Sequence, residues 1–579
     1  MKNFTLVALF WVCFSPVFAQ NDLKTPYEKG NGNQTATYHE TIDWYKKLDA
    51  AFNEVKLLEY GTTDSGRPLH LVVISTNKEF NPKKLREQNK RVVLVQNGIH
   101  PGEPEGIDAS MMLARDYLQN KKLRQRLENT VLLIIPVYNV GGALYRNSTT
   151  RTNQLGPEEY GFRGNARNLD LNRDYIKADA RNTQTFYTIF QEWQPDIFLD
   201  NHTSNGADYQ HVVTLIATQA NKLNPELRPY FEQQLVPALY KGMEKRKLPM
   251  VPYVNVFNRP PDSGYEGFLE SPRYATGYTT LFNTMGFVLE THMLKPFDQR
   301  VKATYEFMDE LLQQVHKDAA KIGEVRQKAQ QATLTQQQFP LAWKLDSSRH
   351  ETITFKGYEA KYKPSEISGQ QRLYYDRKAP FTKQIPWYNL FKETVTVQKP
   401  LAYVVPQAWQ EVIFRLQLNN VQMQKLQRDT VMQVEIYRIK DVHTVPQPYE
   451  GHYLHYNVQV EKAVEQVFYF AGDYLIYLNQ PANRYLIETL EPHATDAFFA
   501  WNFYDEVLQQ KEYFSPYVFE EIAAKQLKND PKLKAEFEAA KKANPELEKN
   551  AYAQLMWLFQ RSEHYEPVHK RYPVGRVMR

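Results

Sequence analysis

The chain has 579 residues, 42% hydrophobic and 24% charged, with a formal net charge of +5. That balance is typical of a globular protein of several domains. The small charge, with no basic block interleaved with aromatics, gives no ground for a nucleic-acid partner. The 13% aromatic share is concentrated in tyrosine and fits core and interface packing better than carbohydrate contact.

Residues 1–19 read as a secretory leader: Lys2 precedes the apolar stretch 4–14, and Val17-Phe18-Ala19 offers a cleavage site before Gln20. The apolar run is too short for a membrane anchor, and no later segment is long enough to span a bilayer. The single cysteine, Cys13, falls inside this leader after Trp11 and Val12, without the small residue that a lipid-attachment site needs. The expected mature chain is therefore secreted or periplasmic and has no disulfide framework, which suits a Gram-negative periplasm or outer surface.

A polar leader at 20–37 precedes an expected helix at 38–55. Strand-like runs follow at 56–60, 69–75, 91–96 and 131–137, and residues 104–119 have helical periodicity. Next come a helix at 182–193, strands at 196–200 and 211–217, a long helix at 225–245 and a strand at 286–290. Strands alternating with helices indicate an α/β fold, with a mixed, mostly parallel sheet flanked by helices. Two long polar connections, 138–175 and 255–283, are candidate functional loops. One terminal helix is expected over 297–332, closing in a Gln-rich linker at 327–338. A catalytic domain at 38–335 would then be followed by a β-rich accessory domain at 340–495 and a helical region at 496–579. Beyond residue 340 no catalytic constellation is visible.

Three of the strand-like runs end in potential metal chemistry. The run RVVLVQ (91–96) leads into His100-Pro101-Gly102-Glu103, the run DIFLD (196–200) delivers His202, and the run GFVLE (286–290) ends in Glu290. Ligands in open α/β sheets bind outside the carboxyl ends of the strands. A His-x-x-Glu pair alone arises by chance about once in a chain of this size. Two imidazoles and a carboxylate at one sheet edge instead make the three-ligand set of catalytic zinc, which keeps a fourth position open. Glu290 can serve as a base beside it, with Glu266 and Glu270 the next carboxylates to consider. The loop FRGNARNLDLNRDY (162–175) adds Arg163 and Arg173, one suited to an oxyanion and one to a substrate carboxylate, with Asn172 as a further donor. Glu105 is expected to be an exposed carboxylate in a first helical turn, and His211 and His292 to be structural.

With these residues the chain resembles the M14 family of zinc carboxypeptidases over about residues 38–312. The resemblance implies one zinc ion held by His100, Glu103 and His202, with Glu290 as the base and Arg163 as the carbonyl-polarising arginine. It further implies that Asn172 and Arg173 bind the terminal carboxylate of a peptide substrate, and that Asp170 orients the first zinc histidine. A tyrosine that closes over the substrate belongs in the loop before the base. Tyr274 is preferred, with Tyr278 and Tyr265 as alternatives. Thr291-His292 stands where many relatives carry Leu-Arg, so no side-chain preference carries over. A zinc-dependent amide deacylase, a cell-wall peptide amidase and an inactive carboxypeptidase-like binding module remain open as alternatives.

Overall fold

The computed structural model describes residues 23–578. The expected leader and Cys13 lie outside the described residues. The chain divides into two compact units, one comprising residues up to 333 together with 343–392, the other comprising 334–342 and 393–579.

The first unit is built on an eight-stranded mixed sheet. Its strands are β1 (Val55–Thr62), β2 (Pro68–Ile74), β3 (Arg91–Gln96), β4 (Thr130–Ile135), β5 (Ile197–Ser204), β6 (Val213–Ala217) and β7 (Val251–Pro252). A short β8 (Tyr265–Glu266) lies in a separate sheet, and β9 (Met285–His292) completes the eight. The order is β1-β2-β4-β3-β5-β9-β6-β7. The centre, β4-β3-β5-β9, is entirely parallel. Strands β4, β5 and β9 are buried along their whole length, which is why each reads as a continuous run rather than an alternating one. Helices Glu105–Gln119 and Phe297–Lys317 contribute Met111, Leu113, Phe307 and Leu311 to one core with Val93, Leu132, Leu199 and Leu289 of the sheet.

The stretch expected as one helix over 297–332 is two, Phe297–Lys317 and Ala319–Thr335, broken at Asp318. Most of the expected Gln-rich linker is therefore helical. Its inner face is anchored: Ala329 is fully buried, and Thr333 accepts hydrogen bonds from Asn224 and Asn283 at 3.3 and 3.0 Å.

The division between units also falls elsewhere than expected. A long antiparallel hairpin, Glu351–Pro364 with Gln371–Tyr388, clusters with the first unit instead of opening an accessory domain. Its Trp387-Tyr388 pair in parallel with β8. Gln210 donates to the carbonyls of Gly357 and Phe381 at 2.8 and 2.9 Å. Phe355 and Ile385 bury themselves with Tyr209, Val254, Val256 and Tyr265.

In the second unit a six-stranded sheet carries two long strands, Thr430–Thr444 and His455–Tyr469, and takes in the C-terminal strand Gly575–Val577. Helices Gln410–Leu418 and Asn483–Leu490 interrupt its β-rich run. The helical region begins at Pro516, later than the expected 496.

Candidate metal centre and catalytic cleft

The turn after β3 places the first two donors. The Glu103 N–H donates to the His100 carbonyl at 2.8 Å, closing a four-residue turn with Pro101 at its second position. Gly102 is required there: a Cβ would come within 2.5 Å of Arg151 Cδ and 3.0 Å of the Gly161 carbonyl. Helix Glu105–Gln119 begins immediately afterwards, and its Gly106 packs so tightly on Asn97 and Asn201 that a Cβ would meet Asn97 Oδ1 at 2.3 Å. The third donor, His202, stands near the end of β5, paired in register with Glu290 on β9.

His100, Glu103 and His202 are all buried, and each offers a ligand atom within 4.8 Å of the others. His202 Nδ1 lies 3.0 Å from Glu103 Oε2. His100 Nδ1 lies 3.4 Å from Glu103 Oε1 and, although buried, has no hydrogen bond. Each imidazole is fixed through its other nitrogen, His100 Nε2 to Asp170 and His202 Nε2 to Asp200, both at 2.9 Å. Such carboxylate–histidine pairs set the tautomer and ring orientation of metal ligands. An unmet buried Nδ1, a second Nδ1 facing the same carboxylate, and a donor set of two nitrogens and one oxygen fit one zinc ion.

The charges around these donors are shifted accordingly. Burial alone would raise the Glu103 carboxyl, yet Arg151, at 3.0 Å, and the two histidines hold it well below the usual carboxylate range. Burial likewise opposes protonation of His202, but the Asp200 and Glu103 carboxylates lift the imidazole well above its ordinary value. Burial pushes the Glu290 carboxyl up to about 8, the Glu103 charge adding to it while His202 and Arg163 pull the other way.

The polar loop supplies the cationic wall of a cleft of about 510 Å³. Asp170 organises it, accepting from Arg163 Nε at 3.0 Å, pairing with Arg163 Nη2 at 2.9 Å and accepting the Asn172 N–H at 2.9 Å. Arg163 Nη1 is then 3.6 Å from Glu103 Oε1, beside the metal donors. Arg173 donates to the Asn172 carbonyl at 2.8 Å, and its guanidinium lies over the Tyr274 ring at 4.5 Å. All of the expected site residues except Asp170 line this one cleft: His100, Glu103 and His202, then Arg163, Asn172, Arg173, Tyr274 and Glu290.

The three tyrosine candidates separate. Tyr274 lines the cleft, whereas Tyr278 is fully buried and stacked on Tyr187 at 4.9 Å, and Tyr265 is buried with its hydroxyl on the Pro252 carbonyl at 2.9 Å. His292 stacks on Tyr209 at 4.1 Å and contacts Asp208, while His211 bonds the Pro249 carbonyl, so both are structural. Glu105 differs from expectation. It sits in the first helical turn but is 1% exposed, paired with the fully buried Arg300 at 2.9 Å and accepting from Thr203 at 2.8 Å. The first turn faces the sheet edge rather than solvent. Sequence reasoning missed Asp200 and Arg151. The spacing Asp-x-His on a buried strand was the signal for the first, and nothing local marks the second.

Fold and site together set a three-donor metal centre at the edge of a mostly parallel α/β sheet, an arrangement similar to that of zinc carboxypeptidases. Comparison with known proteins agrees: residues 41–234 match the family model for zinc carboxypeptidases of the M14 type, a segment holding all three metal donors. The chain is 23% identical over 507 residues to carboxypeptidase 2 of Trichophyton equinum, an alignment covering 84% of this chain and 87% of that relative. Carboxypeptidase 2 of Trichophyton rubrum is 22% identical, over 81% and 84% of the two chains. Both alignments run well past the segment in which motifs were recognised. Among solved structures, carboxypeptidase A from Helicoverpa armigera aligns with 50% of this chain and 74% of its own, at 15% identity and a TM-score of 0.37.

Proposed function

We propose that the protein releases single residues from the free C-termini of peptides. Glu290 moves the proton, Arg163 stabilises the oxyanion, and Asn172 with Arg173 reads the terminal carboxylate. One observation carries this reading: a buried carboxylate and two guanidinium groups open on the same cleft as three metal donors.

Bound by His100, Glu103 and His202, zinc supplies Lewis-acid polarisation of the scissile carbonyl and a lowered pKa for water. The chain's own groups do the rest. Glu290, in its ionised form, takes a proton from the attacking water and returns it to the leaving amine, so the carboxylate is regenerated. Its shifted carboxyl suits both transfers, because a group titrating near neutrality can accept and release. Arg163 is clamped through two nitrogens on Asp170, leaving Nη1 to donate to the oxyanion as the carbonyl becomes tetrahedral. Arg173, held by the Asn172 carbonyl and the Tyr274 face, presents a planar fork to a carboxylate. Tyr274, next to that fork, is the tyrosine placed to cover the bound terminus.

Direction of attack tests the reading. A free-acid peptide, its C-terminal amide and its N-acetyl form are digested side by side and the products weighed. Amidation is expected to lower kcat/KM by about 10- to 100-fold, since it leaves a charged fork unpaired, whereas N-acetylation changes little. Equal cutting of acid and amide, or release of N-terminal residues first, would replace this reading with an amidase or aminopeptidase one. Export belongs to the same proposal, supported by the charge, apolar core and small-residue site of residues 1–19. A mature N-terminus at Gln20 is the expected result of sequencing the exported chain.

A further inference from the structure

Behind one wall of the cleft lies a second cavity, of about 280 Å³. Ile216, Tyr253 and Phe268 line both, so the two are neighbours parted by side chains. The far walls come from two other elements of the same unit. The helix at 228–245 contributes Phe231, Val236 and Tyr240, and the long hairpin contributes Ile353 and Trp387. That helix widens to a π turn over Phe231–Leu235, just before Pro237, whose ring nitrogen has no hydrogen to donate. Single wide turns of this kind are frequent at functional sites. The volume and the mostly apolar walls suit one small ligand.

The charges on this cavity have one sign. Glu232 and Glu351 line it, both exposed, and no lysine, arginine or histidine does. Among the described residues neither acid is ion-paired. Burial raises the Glu351 carboxyl above its ordinary value, and the Glu232 charge adds to the shift. Glu351 and Trp387 stand directly opposite each other across the hairpin, which puts their side chains on one face. The Trp387 indole N–H is buried and, among the described residues, meets no acceptor. Other polar groups at the wall are engaged. Gln219 donates to Asn221 and to the Asn389 carbonyl at 3.0 and 2.9 Å, and the Thr218 hydroxyl to the Gly286 carbonyl at 3.1 Å. A complementary ligand therefore has a cation for the acids, an acceptor for the indole and an apolar body for the rings. The first residue of a peptide carries all three: an ammonium, a carbonyl on the next carbon but one, and a side chain. An ammonium is further attracted by aromatic faces, and a buried donor left unmet is costly.

We infer that this cavity is a second ligand site, which takes the amino-terminal residue of a peptide when that residue is apolar. Glu232 and Glu351 hold the ammonium, the Trp387 N–H donates to the carbonyl, and Phe231, Val236 and Ile353 enclose the side chain. The site lies beside the catalytic cleft and does not depend on the direction in which the cleft cuts.

The test is calorimetric titration of zinc-loaded protein with phenylalanine amide, whose blocked carboxyl offers nothing to Arg173. N-acetylphenylalanine amide removes the ammonium, and 2-phenylethylamine removes the carbonyl. Wild-type protein should bind phenylalanine amide with one ligand per chain. The acetylated form should bind about 5- to 20-fold more weakly, because the two carboxylates are partly screened by solvent. Trp387→Phe should weaken phenylalanine amide by about 3- to 10-fold, the worth of one hydrogen bond, and leave 2-phenylethylamine unchanged. Ala220 lines this cavity and not the cleft. Ala220→Leu should therefore abolish binding of all three ligands while peptide hydrolysis continues at the wild-type rate. Equal binding of the free and acetylated amides, failure of the wild type to bind phenylalanine amide, or undiminished binding in folded Ala220→Leu overturns the inference. Should either variant fail to fold, the three-ligand comparison on the wild type still decides.

Discussion

Each unit contains a buried ionic cluster, and the two are put to different use. In the second unit Glu491 is fully buried and accepts from the hydroxyls of Tyr403 and Tyr437, both at 2.6 Å. Arg576 Nε lies 3.0 Å from it and also pairs with Glu435. Burial pushes the Glu491 carboxyl up to about 7, although the hydroxyls of Tyr403 and Tyr437 and the Lys462 charge pull the other way. In the first unit Glu103 and Glu290 are also buried and also shifted, Glu103 held low and Glu290 pushed up. Burial and a displaced acid are thus common to both clusters and do not define a site. The difference is access. Glu491, Tyr403, Tyr437, Glu435 and Arg576 do not line a pocket of about 360 Å³ found in their unit, and their charges face one another. Those around Glu103 open on a cleft that the three metal donors line. One cluster holds a fold together; the other is arranged for something that must be added.

Substitutions can break or sharpen this contrast. The largest effect is expected at Glu290→Gln, which should keep the fold and the zinc but lose about 10²–10⁴-fold in turnover. More than about a tenth of the wild-type rate, outside that range, would mean that proton transfer lies elsewhere. Arg163→Ala comes next, costing mainly kcat by about 10²–10³-fold. Arg173→Ala should instead appear mostly in KM, because it removes ground-state anchoring. If the two arginine variants gave the same kcat and KM pattern, the division of labour on the loop would be wrong. Asp200→Asn tests the support behind His202. Zinc affinity measured by chelator competition should drop about 10- to 100-fold, and unchanged affinity would make Asp200 a bystander. The smallest effect on catalysis, none, is expected at Glu491→Gln. Thermal or denaturant unfolding should show a loss of about 1–3 kcal/mol, with zinc content and kcat/KM unaltered. A drop in zinc content there would erase the contrast between the clusters.

Much of the catalytic unit was legible because the physics was local. Strands β3, β5 and β9 lie in the middle of a covered sheet, so each shows as an apolar run broken by a polar residue at or beyond its carboxyl end. That break located His100, Glu103, His202 and Glu290 on one edge. The Arg- and Asn-rich loop stood out by length and composition, and its Asp170 hub explains why such a loop can be rigid. What stayed hidden depended on distant partners. Glu105 looked solvent-facing until Arg300, about two hundred residues on, was seen against it. Arg151 reaches Glu103 only because Gly102 has no side chain to block it. The hairpin 351–388 has an ordinary β composition, and only its pairing with Tyr265-Glu266 and the burial of Phe355 assign it to the first unit.

The central claim, that two strand ends and a turn build a zinc centre, is most directly tested by metal content. Elemental analysis of the purified wild type should give one zinc per chain, with activity lost on chelation and restored by zinc. His202→Ala should retain far less than one equivalent while keeping its circular dichroism spectrum. Wild-type protein that is free of metal yet fully active, or a His202→Ala variant that still binds one zinc per chain, would contradict the account.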